Sequence, residues 1–190
     1  MQSQTSSIAV QDALQMMIAP LSPEEFFRDY YEKAYFHSTP VNQAVIDLLS
    51  IDRIDEILSD SELPPTSISM AKSGAGIDPA EFTFANGVVD RGAVLDGFRD
   101  GATIVLPQLQ FADGKLFEFC LALERAFGAR TQTNIYMTPP GEHGFGVHYD
   151  DHTCSCCRWQ APRTGKSTAT AKACLTGARA FARIATTPAN

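Results

Sequence analysis

Apolar residues recur along this 190-residue chain with two different periods. Between Ser22 and Phe36 the spacing is helical: Phe26, Phe27, Tyr30, Tyr31 and Ala34 form one stripe. Ser22 is placed to cap that helix, Pro23 takes the first helical position, and Glu25 stands three after the cap. Core packing is the simplest role for the stripe. Residues 42–60 read as two short helices, the second capped around Ser50-Ile51-Asp52 with Ile51, Ile54, Ile57 and Leu58 inward. Pro64-Pro65 closes this helical region. The pattern then alternates, and 66–72 is predicted as a strand, followed by a turn-rich stretch over 73–80. Asp90 to Arg99 is predicted as a helix with Val94, Leu95 and Phe98 inward, and 102–106 (ATIVL) as a short buried strand. The clearest helix covers 114–128, with a broad apolar face and Gly128 at its end. Cys120 on that face reads as a small buried hydrophobe. Residues 131–138 alternate again and end in Pro139-Pro140-Gly141, and a further strand is expected over 147–152.

Composition supports a folded chain. It is 44% hydrophobic and 19% charged, enough for a buried core in one domain or one domain with a small lobe. No apolar run reaches the length of a membrane span, and the N-terminus has no basic leader pattern, so a cytoplasmic protein is expected. Five cysteines then argue for free thiols or metal rather than disulfides. The net charge of −7 is unevenly distributed. From Cys154 to Asn190 there are six basic residues and no acidic one, so residues 1–153 carry −13. Such an acidic body repels nucleic acid. The basic tail has only Trp159 and Phe181 as aromatics, too few for an interleaved stacking surface, so no nucleic-acid partner is expected.

The chemistry concentrates in GFGVHYDDHTCSCCRW, residues 144–159. In a strand, His148 and Asp150 project from the same face. An imidazole and a carboxylate so placed can take adjacent positions on one metal ion; with a second histidine they make a two-histidine, one-carboxylate triad suited to Fe(II). His152 falls on the same face, too far along for a third bond to one ion, and His143 and His37 read as solvated. A competing reading makes His152, Cys154, Cys156 and Cys157 a soft zinc site, although C-x-C-C lacks the usual second pair and Cys174 stands alone.

Residues 134–152, NIYMTPPGEHGFGVHYDDH, resemble the metal-binding strand pair of JmjC-type cupin oxygenases, in their ribosomal-oxygenase-like branch. That family's pattern runs N-x-Y-x-T-P-P-G-x-x-G-F-x-x-H-Y-D-D-H-D-x-F-V-L-Q-V-x-G. SPEEFFRDYYEKAYFH is similar to its N-terminal helix, without the usual Trp, and RDGATIVLPQLQ to its D-G-A-T-L-V-L strand. The resemblance covers residues 20–153. It implies an α+β fold: a helical N-terminal lobe (1–65) and an incomplete double-stranded β-helix of cupin/JmjC type (66–153). It implies Fe(II)- and 2-oxoglutarate-dependent hydroxylation of a protein or peptide, with ribosomal protein among the open substrates. His148 and Asp150 would be iron ligands, Asn134 would lie beside the co-substrate, and Tyr136 would line the pocket. No catalytic residue beyond the metal ligands is implied. Intact relatives leave homodimerisation open.

The family also has a second histidine ligand downstream and a lysine that pairs with the co-substrate. No histidine follows His152 here, and Arg163 stands at the lysine position. Residues 154–190 look non-native, with nine Ala and six Thr, and are expected to be poorly ordered. Ser155 to Ala161 can be encoded by TCG TGC TGC AGG TGG CAG GCA. Read one base earlier behind a T, the same bases give Phe-Val-Leu-Gln-Val-Ala-Gly, the family's next strand. A frame change near Thr153 is therefore expected, with an inactive fragment as its consequence; a non-enzymatic cupin-like binding module is the alternative.

Overall fold

A computed structural model describes residues 9–38, 42–59, 63–142, 145, 154–160 and 170–176, the last two stretches as backbone. The architecture is α+β, as the sequence implies. Helices come first: α1 (Val10–Ile18), α2 (Pro23–Glu25), α3 (Gln43–Ile46) and α4 (Ile51–Leu58). The later elements are β1 (Ser69–Lys72), β2 (Ala75–Gly76), α5 (Arg91–Arg99), β3 (Thr103–Leu106), α6 (Gly114–Phe127), β4 (Asn134–Thr138), β5 (Cys154–Gln160) and β6 (Thr170–Thr176). The strands form one antiparallel sheet in the order β2-β1-β3-β4-β6-β5. Two of them lie in the C-terminal stretch where the sequence shows no periodic pattern.

The capping signals operate as read. Ser22 Oγ accepts the Glu25 N–H while the Ser22 N–H donates to Glu25 Oε2, which holds that carboxyl below its usual range. Ser50, Asp90 and Asp113 each accept the N–H three residues on and so start α4, α5 and α6. Gly128 ends α6 in the left-handed region, φ 63°, which costs glycine little.

The helix expected over 22–36 is shorter and differs in kind. After Glu25 the chain widens into a π-helical turn, Phe26–Tyr30, in which the Tyr31 N–H donates to the Phe26 carbonyl. At Tyr31 the backbone leaves helical space (φ −58°, ψ 120°), and the Lys33 ammonium donates to the Phe27 and Arg28 carbonyls that the missing turn leaves open. The aromatic stripe is half-buried rather than central. It packs on the end of α6: Tyr31 stacks on Phe127 at 5.4 Å, and Phe26 and Phe27 meet the same ring edge-on. Helix α1, absent from the reading above although Val10, Ala13, Leu14, Met17 and Ile18 recur at helical spacing, packs against α6. Its N-cap position is Ala9, whose side chain makes no capping bond, so no start signal marks it.

One buried cluster runs from Val45, Ile54 and Leu58 in the N-terminal helices through Leu116, Phe119 and Leu123 of α6 to Met70, Ile104, Leu106 and Ile135 of the sheet. Gly97 lets α5 approach β1 closely, since a β-carbon there would sit 2.8 Å from the Met70 methyl. Cys120 is a small buried residue, as expected, with its Sγ 3.1 Å from Thr133 Oγ1. Burial pushes its thiol up to about 12, against a smaller lowering by Thr133. Native protein treated with iodoacetamide at pH 8 should therefore leave Cys120 unmodified, with full labelling after denaturation, read by peptide mass mapping. The unfolded thiol ionises first as pH rises, so this group's stabilising contribution is complete below the ordinary thiol range and is lost between there and about 12.

Candidate functional site

Strands β3 and β4 build the site because their two faces differ. The register pairs Ile104 with Met137, Val105 with Tyr136 and Leu106 with Ile135. Alternation therefore sends Ile104, Leu106, Ile135 and Met137 to the helical core, where all four are found. The opposite face carries Thr103, Val105, Asn134, Tyr136 and Thr138, with Ala71 contributed by β1. Val105 and Ala71 are buried but stand outside the main cluster, which marks this face as a separate environment.

This face is polar and ordered by hydrogen bonds. Thr103 Oγ1 and Thr138 Oγ1 lie 2.9 Å apart across the ladder. Tyr136 meets the ring of Phe145 edge-on, at 5.8 Å and 85° between planes. Asn134, at 8% exposure, accepts the Gln108 N–H on its Oδ1 at 2.9 Å. That bond continues the β3–β4 ladder past Pro107, which has no N–H to offer. Two more bonds tie down the same turn. The Leu109 N–H donates to the Thr133 carbonyl at 2.8 Å, and the Thr133 N–H donates to Gln110 Oε1 at 2.9 Å. Gln108 adopts the left-handed region (φ 52°, ψ 40°), an uncommon conformation for a residue with a β-carbon.

Asn134 and Tyr136 thus share one face of β4. His148, Asp150, His152 and His143 lie outside the described residues, as does the strand expected over 147–152. His37 is exposed. Cys154, Cys156 and Cys157 lie along the backbone of β5, and Cys174, isolated in the sequence, is the register partner of both Cys156 and Asn134. Among the described residues no three His, Cys, Asp or Glu side chains stand close enough to hold a metal ion. The side chains of the candidate ligands of both metal readings, those of the β5 cysteines included, fall outside that description. Among the described residues no helix is long and apolar enough to cross a membrane.

The sequence reading does not single out Thr103 and Thr138, which share this face. Thr138 was within reach, since it follows Asn134 and Tyr136 at the strand period in NIYMT. Thr103 alternates with Ile104 in the same way. The role of Gln108 carries no sequence signal, because glutamine does not mark a left-handed turn.

No family model matches the chain. It is similar to ribosomal oxygenase 1 of Gallus gallus, 28% identical over 139 residues that make up 71% of this chain and 22% of that protein. It is 30% identical over 138 residues to the bifunctional lysine-specific demethylase and histidyl-hydroxylase NO66 of Drosophila grimshawi, covering 71% of this chain and 19% of the relative. Ribosomal oxygenase 1 of Danio rerio is 26% identical over 144 residues, 72% of this chain and 25% of the relative. The chain thus spans no more than a quarter of the length of these relatives. Its α+β architecture and its similarity to ribosomal oxygenase 1 and NO66 make it a distant relative of the JmjC-type oxygenase family.

Proposed function

We propose that the polar face of β3 and β4 is the co-substrate wall of a pocket of the Fe(II)- and 2-oxoglutarate-dependent type, built to act on a protein or peptide side chain. One observation carries this reading: Asn134 and Tyr136 stand together on that face, in the segment that leads into His148 and Asp150. The residues present fit the group. Thr103, Asn134, Tyr136 and Thr138 put hydroxyl and carboxamide donors on one face, the donor set that a dicarboxylate requires. His148 and Asp150 would hold the metal, which together with 2-oxoglutarate supplies the oxidising chemistry when bound. The chain's own contribution is positioning: Asn134 is oriented by the turn behind it, and the Tyr136 ring packs edge-on against Phe145.

The residues of this chain favour binding over turnover. It has no histidine beyond His152 and an arginine, Arg163, where the family places its lysine. His148 and Asp150 by themselves would give weak iron affinity, and turnover from these two ligands alone is expected near background. The purified chain should take up iron in a His148- and Asp150-dependent manner, measured by metal analysis against His148→Ala and Asp150→Ala. Iron content unchanged by both substitutions would overturn the pocket, and zinc retained through Cys154, Cys156 and Cys157 would establish the thiol site instead. Succinate released above background with Fe(II), ascorbate and 2-oxoglutarate would refute the low turnover. The lysine and histidine chemistry in the relatives' names supports a protein substrate of that general kind.

A further inference from the structure

We propose that Gln108 is a positioning residue: its backbone N–H turns the Asn134 carboxamide so that the NH2 group faces the pocket, making that end of the wall donor-only and selective for an oxygen acceptor. The inference rests on the pocket reading above and adds the polarity of the group it receives.

A backbone N–H can only donate, so the atom 2.9 Å from the Gln108 nitrogen must be the Asn134 oxygen. The NH2 group then projects away from the turn. Asn134 is more than nine-tenths buried, and among the described residues its one side-chain hydrogen bond is the one from Gln108. No fully enclosed side-chain nitrogen or oxygen among the described residues lacks a partner, so the Asn134 Nδ2 is not fully enclosed. Two amide donors at a nearly enclosed site call for a partner with lone pairs, and a carboxylate oxygen meets that demand best.

The turn is built to hold this orientation. The Gln108 N–H points across at β4, and its left-handed conformation then turns the chain away from β3. The bonds from the Leu109 N–H to the Thr133 carbonyl and from the Thr133 N–H to Gln110 Oε1 then lock the backbone on either side. A carboxamide free to flip would accept a hydroxyl or amine as readily as a carboxylate; this one is not free.

Two variants of the full chain separate orientation from mere folding. Asn134→Asp keeps an acceptor for the Gln108 N–H and removes both donors, whereas Asn134→Ala removes both functions. In nitrogen-15-labelled protein, exchange of the Gln108 amide should be slow in the parent and in Asn134→Asp, and about tenfold or more faster in Asn134→Ala. Added 2-oxoglutarate should shift the Asn134 side-chain NH2 resonances in the parent, and its binding should weaken about tenfold or more in Asn134→Asp. Fast Gln108 exchange in Asn134→Asp, or an Asn134 NH2 signal that stays put while 2-oxoglutarate shifts its neighbours, overturns the orientation and leaves the pocket standing. If 2-oxoglutarate shifts nothing while the exchange pattern holds, the pocket reading falls and takes the acceptor selectivity with it.

Discussion

Phe119→Ala lowers the free energy of unfolding by about 3–5 kcal/mol. Phe119 is 0% exposed on the inward side of α6, in the cluster that joins the N-terminal helices to Ile104, Leu106 and Ile135. Removing the ring loses its transfer free energy and leaves a cavity that α6, anchored at both ends, closes only in part. Domains of this size hold roughly 5–15 kcal/mol in total, so this one change removes a large share. Urea unfolding followed by circular dichroism should show a lower midpoint with an unchanged slope. Phe117→Ala on the same helix is the control, since Phe117 is 44% exposed and its truncation should cost under about 1 kcal/mol. Equal losses at the two sites would mean that α6 does not present the face described.

Asp113→Ala costs about 2–3 kcal/mol through two oxygens that do different things. Oδ1 accepts the Leu116 N–H at 3.0 Å and starts α6. Oδ2 accepts the Arg53 Nε–H at 2.9 Å and ties α4 to that start. Nearby, Arg53 also donates to the Ala112 carbonyl, and the Lys115 ammonium to the Asp47 carbonyl, so the junction is held at several points. The cap carries most of the effect, because the Arg53 side chain is 43% exposed and solvent screens its ion pair. Asp113→Asn keeps a capping oxygen and should retain more than half of the lost stability. Arg53→Ala should cost less than Asp113→Ala, with a coupling between the two sites that weakens as salt is raised. A cost for Arg53→Ala that matches Asp113→Ala and is insensitive to salt would reverse that division.

Much of the scaffold was legible because its signals are local. Helix α6 combines a long apolar face with Asp113 before it and Gly128 after it, and α4 and α5 have side-chain caps at Ser50 and Asp90. Strand β4 alternates cleanly enough for its sequence to place Asn134 and Tyr136 on one face. What failed was governed by longer reach. Helix α1 is the exception: its apolar residues recur at helical spacing, and only the capping side chain is missing. The break at Tyr31 falls where that ring stacks on Phe127, 96 residues on. The predicted strand at 66–72 begins only at Ser69, since Pro65–Ser67 makes a tight helical turn first. The hold of Gln108 on Asn134 joins residues 26 apart through a backbone group, which no residue type announces.

Strands β3 and β4 serve two masters at a period of two, and this constrains what evolution or an engineer can do there. A single residue inserted before Ile135 would exchange the faces, driving Tyr136 among the helices and Ile135 toward solvent and ligand. Greasy interior and chemical wall would be lost in the same stroke. Substitutions along these strands can be tolerated one at a time, but changes of length should come only in pairs or in the turns between them.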